Sequence, residues 1–207
     1  MSLIQSIVNS KNAVGEVANV DDMLIDIFLY PEYFGKIKVG NIIVVDSEGD
    51  KPIGIVLRLS HSPKAGSITP LRESLEKLRK RYPDYQYYLN YVTTIVYTSH
   101  YSDNEVRHSR SHSPHLHELA YLVEGKTSLK EFLMPKGVWD TSFLINYLQG
   151  GARPFNIIEF VENNSVSLKN LGDVKGFVKS VARTLAISHI DYYGYVINKV
   201  MNILEVK

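Results

Sequence analysis

Four histidines and a glutamate fall within thirteen residues of the stretch RHSRSHSPHLHEL, Arg107 to Leu119. Such residues hold a transition metal when their side chains converge, attract phosphate when protonated beside arginine, or simply solvate a loop. His108 and His112 stand four apart, a spacing that brings two ligands together only on a helix. Pro114 and the surrounding Ser and Arg residues argue against a helix there. His115 and His117 would share one face of a strand, but Glu118 would then point the opposite way. Arg107 and Arg110 also place positive charge beside any cation. The stretch therefore reads as a polar loop without metal ligands. Its candidate anion-binding residues are Arg107, His108, Arg110 and His112. A metal-dependent hydrolase built on His108, His112, His115 and His117 is the weakest of the functions considered.

Three further patterns carry chemistry on paper. Ala120 to Thr127, AYLVEGKT, matches a relaxed phosphate-binding loop. That loop needs flexible backbone wrapped around the phosphates, whereas Tyr121, Leu122 and Val123 look like a strand interior and Glu124 would oppose the anion. No nucleotide site is assigned. LRKRYPDYQYYLNY sets Arg79, Lys80 and Arg81 beside Tyr85 and Tyr88, the ingredients of single-strand recognition by charge and stacking. The plainer reading is that alternate tyrosines face the core and the charges solvate a helix. These five residues are the candidate nucleic-acid contacts. His189, four residues after Leu185 on an apolar stripe, reads as a histidine at a helix end, and no G-x-S-x-G elbow accompanies it.

The elements that would position these residues follow from hydrophobic patterning. AVGEVANV, LIDIFLY, KIKVGNIIVV and KPIGIVLRL are short β-branched runs, with SEGD a hairpin turn whose Gly49 takes positive φ. Gly15, Gly40 and Gly54 fit the tight bends of a small closed barrel. Residues 69–82 form a helix, with Thr69 as N-cap, Pro70 at the first position and Leu71, Leu75 and Leu78 on one face. A tyrosine-rich strand follows, then a polar loop over 100–118 and a strand at LAYLV. TSLKEFL, WDTSFLINYL and GDVKGFVKSVARTLAISH read as helices, and Tyr193 to Leu204 continues the helical pattern. The expected architecture is α+β: a barrel domain over 1–145 with an inserted helix, and a helical region over 146–207.

Composition narrows the function classes. The chain has 207 residues, 44% hydrophobic and 22% charged, with net charge +1, so any nucleic-acid contact must rest on a local patch. The absence of cysteine excludes disulfides, thiolate metal sites and thiol nucleophiles. No apolar run is long enough for a membrane span and the start lacks a signal-type pattern, so a cytoplasmic protein is expected.

The motifs Val14-Gly15-Glu16-Val17, Lys38-Val39-Gly40-Asn41-Ile42-Ile43-Val44 and Pro52-Ile53-Gly54-Ile55-Val56 resemble the HAS-barrel, the β-barrel shared by HerA-type DNA-translocating ATPases and ATP synthase subunits. Asn41 stands where that family usually has aspartate. The resemblance is good over 12–58 and weaker towards 145. It implies a free-standing archaeal barrel without the ATPase motor, in a family where the barrel assembles rings and docks a nuclease rather than catalysing. The leading expectation is therefore a non-catalytic interaction module without cofactors. Its expected partners are a second copy bound through the C-terminal helices, or a DNA-processing protein. A nucleic-acid-binding module is the alternative.

Overall fold

The structure, a computed structural model, describes residues 8, 12–63, 77, 80, 81, 89–188 and 190–206. Seven strands are described: β1 (Gly15–Asp21), β2 (Leu24–Leu29), β3 (Ile42–Val45), β4 (Lys51–Pro63), β5 (Leu89–Ser102), β6 (Glu105–Arg107) and β7 (Leu119–Leu122). All their pairings are antiparallel, in the order β2-β1-β7-β3-β4-β5-β6, and β2 also pairs with β5. That last pairing closes six strands into a barrel and leaves β6 outside it, attached to β5 alone.

Strand β3 reads Ile-Ile-Val-Val and is buried at every position, because both of its faces are covered. Ile43 and Val45 join Val17, Ile25, Ile27, Val56, Ile95 and Tyr97 inside the barrel. Ile42 and Val44 join Ile53, Ile55 and Val96 in a second core beneath the helices. The continuous apolar run thus marks the wall shared by the two cores. Register shifts at Ile53/Gly54 and Val56/Arg58 bend the long β4–β5 ribbon round the barrel. At Gly54 a Cβ would meet the Ile95 side chain at 2.6 Å, and at Gly15 one would fall 2.1 Å from the Phe28 carbonyl oxygen. Both glycines permit close strand approach, as the barrel reading expects. Gly40 differs: it takes φ +82° and faces a helix rather than another strand.

Five α-helices are described: α1 (Lys126–Leu133), α2 (Phe143–Gln149), α3 (Pro154–Leu171), α4 (Val174–Ile187) and α5 (Tyr193–Leu204). The α+β class, with helices gathered towards the C-terminus, is as expected. Together α1–α5 form one layer over the β3–β4–β5 wall, with Phe132, Phe143, Phe160, Phe177 and Val196 in their shared core. Two side chains of α2 lock it to the barrel: Tyr147 Oη donates to the Val56 carbonyl at 2.9 Å, and Asn146 Nδ2 donates to the Thr98 carbonyl at 2.8 Å. The helix expected over 69–82 falls largely outside the described residues. Within it Lys77, Lys80 and Arg81 are helical and exposed.

Two departures from expectation have clear causes. The polar loop assigned to 100–118 is shorter, because β5 continues to Ser102 and turns into β6. Asp103 and Asn104 make that two-residue turn at φ +51° and +64°, a geometry that suits the native twist and that Asp and Asn tolerate. The second departure is α3, the longest helix, which lacks an obvious pattern because Asn163, Asn164, Ser165 and Ser167 are weak helix formers. Two of these residues have another task. Asn163 Nδ2 donates to the Val39 carbonyl at 2.7 Å and Asn164 Nδ2 to the Gly40 carbonyl at 3.3 Å, fastening the helix to the loop before β3. No helix among the described residues is long and apolar enough to cross a membrane.

Candidate functional site

The histidine-rich stretch does not act as one unit. His108 turns inward between Phe132 and Phe143, with ring centroids 5.1 and 5.3 Å away. Its Nδ1 lies 2.9 Å from Ser99 Oγ, and its Nε2 is buried without a partner of hydrogen-bonding geometry. Burial lowers its pKa below the ordinary histidine value, while Asp140 and the backbone oxygens of Asp140 and Phe132 oppose that shift. The neutral ring with its proton on Nε2 satisfies this arrangement, since Nδ1 then accepts from the Ser99 hydroxyl.

The neighbours of His108 point elsewhere. Arg107 pairs with Asp103 at 3.4 Å, while Arg110 reaches Asp22 at the β1–β2 turn at 2.9 Å. His112 lies by the β3–β4 hairpin, where its Cε1 would sit 4.0 Å from a Cβ on Gly49. His117, at φ +67°, approaches Glu16 at 3.6 Å, and His115 is exposed. Glu118 is held by the Ser47 hydroxyl and the His115 backbone N–H. Of the four anion candidates only Arg107 and His108 share a surface, the cleft described below. Among the described residues no three His, Asp or Glu side chains are grouped to hold a metal ion.

Ser99, His108 and Asp140 have the composition of a nucleophilic triad, but the geometry serves packing. Ser99 is completely buried in the sheet. The Asp140 carboxylate accepts from Ser142 N at 2.9 Å and from Ser142 Oγ at 2.7 Å, which fixes the turn leading into α2 and, against the upward push of burial, lowers the Asp140 pKa. A substrate has no access to the Ser99 hydroxyl. At the phosphate-loop lookalike, α1 does begin at Lys126, yet Leu119–Leu122 is zipped between β1 and β3. Val123 N also donates to the Ile42 carbonyl. Too little free backbone remains to wrap a phosphate.

Among the candidate nucleic-acid residues, Lys80 and Arg81 are exposed. Arg79, Tyr85 and Tyr88 lie outside the described residues, as does His189. Tyr91, from the same tyrosine-rich run, is buried in the barrel against Phe34.

Two surfaces stand out. The first is a cleft of about 620 Å³ between β6 and the segment joining α1 to α2, lined by Arg107, His108, Lys136, Val138, Trp139 and Asp140 among others. The second lies where α3 and α5 both begin. Phe155, Tyr192 and Tyr195 are 49%, 68% and 47% exposed, and the Phe155 ring lies 6.2 and 5.8 Å from those of Tyr192 and Tyr195. Lys199 Nζ sits 5.7 Å over the Tyr195 ring. Tyr192 takes φ +60°, ψ +20°, a left-handed conformation that costs a non-glycine residue about 1–2 kcal/mol. Sequence patterning hides this cluster, because Phe155 and Tyr192 lie far apart in the chain and Tyr192 precedes the helix it caps.

No family model matches the chain, and no curated protein matches it.

Proposed function

We propose that this chain is a non-catalytic assembly module, in which a small closed barrel carries a helical layer whose aromatic end binds a second copy of the chain. The observation that carries this reading is the Phe155–Tyr192–Tyr195 cluster, three contacting rings held in solvent. At about 150–250 Å² per aromatic side chain, their exposed parts amount to roughly 300 Å², the scale of the apolar patches that mark interaction sites. Tyr and Phe are enriched at the centres of protein interfaces, where a few rings carry most of the binding. A net charge of +1 sets little repulsion between two copies. A standard interface buries about 800 Å² per partner, so the rings would form its centre, with further surface of the helical layer completing it.

The resemblance to HAS-barrels supports the same direction. A closed six-stranded barrel is compatible with it, and in that family the barrel assembles and docks. On this reading the chain is a docking barrel serving DNA processing. A nucleic-acid alternative at these rings, distinct from the one expected at the 79–91 segment, draws on Lys199 over Tyr195, which also suits base stacking beside a phosphate.

Light scattering coupled to size exclusion, over a range of protein concentrations, tests the reading. A concentration-dependent dimer that Phe155→Ser with Tyr192→Ser converts to monomer is the expected outcome. A wild-type protein that stays monomeric at its solubility limit overturns it. Salt-sensitive single-strand binding abolished by Tyr195→Ser and Lys199→Gln would favour the alternative instead.

A further inference from the structure

We infer that the cleft between β6 and the segment 135–142 is a binding site for a carboxylate that carries an apolar group. Its volume of about 620 Å³ falls within the range of small-ligand sites, about 300–1,000 Å³. Val106, Pro135, Val138 and Trp139 supply its apolar lining, and Val138 stands 70% exposed at the edge without an evident packing role.

One polar group of the lining is short of an acceptor. Trp139 Nε1 is buried with no hydrogen-bond partner among the described residues, and the indole belongs to the lining; the His108 ring already has the Asp140 and Phe132 backbone oxygens beside it. A buried N–H group without a partner is rare and calls for an explanation such as a missing ligand or water. The backbone adds a second group. Ser102 and Glu105 flank the two-residue turn and exchange hydrogen bonds, so the alternation of antiparallel pairs turns the Val106 N–H and carbonyl away from β5 towards the cleft.

Charge selects an anion. The two carboxylates in the lining are occupied, Glu105 by Lys136 at 3.5 Å and Asp140 by Ser142. With Lys136 assigned to Glu105, the loosely held cation is Arg107, half-exposed and paired with an exposed Asp103 at 3.4 Å. Solvent-exposed pairs of this kind contribute little and re-pair readily. The arginine fork suits a planar carboxylate, and the apolar wall beside it suits a hydrocarbon group rather than a bare phosphate. Such a ligand has two sources, a free branched acid or the C-terminus of a peptide chain. Only the second brings an amide for the Val106 backbone.

Trp139 is the only tryptophan in the chain, so its fluorescence and its single indole N–H resonance report directly on the cleft. The protein is titrated with N-acetyl-leucine, isocaproate, N-acetyl-leucinamide and inorganic phosphate. A saturable shift with the first two is expected, at least about tenfold weaker with the neutral amide and with phosphate. Arg107→Gln with Lys136→Gln, both at exposed positions, should weaken the carboxylate response by a similar factor. Tighter binding of N-acetyl-leucine than of isocaproate assigns the site to a chain terminus, and equal binding assigns it to a free acid. No saturable response to either acid, or an equal response to the amide or to phosphate, overturns the proposal. The same titrations on Tyr192→Ser keep this result separate from the assembly surface, which lies on other residues.

Discussion

Gly40 lies directly against the backbone of Phe160: a Cβ at Gly40 would fall 2.4 Å from Phe160 Cα. The contact joins the barrel to the middle of α3, and Asn163 and Asn164 tie down the same loop through the carbonyls of Val39 and Gly40. Gly40→Ala therefore meets two costs, a left-handed φ of +82° and overpacking against backbone that has no rotamer to change. Urea unfolding should show a loss of about 3 kcal/mol. Asn163→Ala, which removes one hydrogen bond at an exposed edge, should cost only about 1 kcal/mol.

Tyr147 is completely buried, and burial raises the pKa of its phenol. Its hydroxyl donates to the Val56 carbonyl, which also accepts from Gly40 N at 2.9 Å. Tyr147→Phe leaves that carbonyl one partner, so the loss in thermal or urea unfolding should be about 1 kcal/mol. Tyr147→Ala opens a cavity between α2 and the barrel and should cost about 3–5 kcal/mol, as for large aromatic truncations.

His108 sets a pH dependence of stability. Its folded pKa lies below the unfolded value of about 6.5 because burial disfavours the imidazolium. Between the two pKa values the unfolded chain holds more protons, so stability is full above about pH 6.5 and falls as pH drops towards the folded pKa. Urea midpoints measured from pH 7.5 down to about pH 5 should decline, and His108→Gln should flatten that slope. A slope unchanged in the variant would place the titration on another group.

Tyr192 offers opposite effects on folding and association. Glycine at φ +60° relieves the left-handed strain, so Tyr192→Gly should raise monomer stability by up to about 1 kcal/mol. The same change removes the most exposed ring of the aromatic cluster and should weaken self-association at least about tenfold, the effect of losing about 1.4 kcal/mol at an interface. Sedimentation and urea unfolding on one sample separate the two.

Residues that pack by a regular period were legible in the sequence, and residues that act across the chain were not. The β-branched runs of β1 to β4, the positive φ of Gly49 and the apolar stripe of α4 all follow from local chemistry. Helix α3 escaped because its asparagines reach out to carbonyls of the loop at 39–40. His108 was read as part of a polar loop, whereas its ring lies buried between Phe132 of α1 and Phe143 of α2. The cleft and the aromatic end are likewise meetings of segments far apart in sequence, which no local pattern encodes.

Barrel closure also sets the timetable on which the protein can be made. Gly15 pairs with Ala120, and β2 needs β5 as its second neighbour. At a synthesis rate of about 5–20 residues per second, the first hairpin leaves the ribosome several seconds before its last partner exists. During that interval Ile25 and Ile27, fully buried in the finished protein, face solvent on a ribbon with two open edges. Short, charged β1 and β2 segments such as Glu16, Asp21 and Asp26 oppose edge-to-edge pairing between nascent chains until β7 arrives.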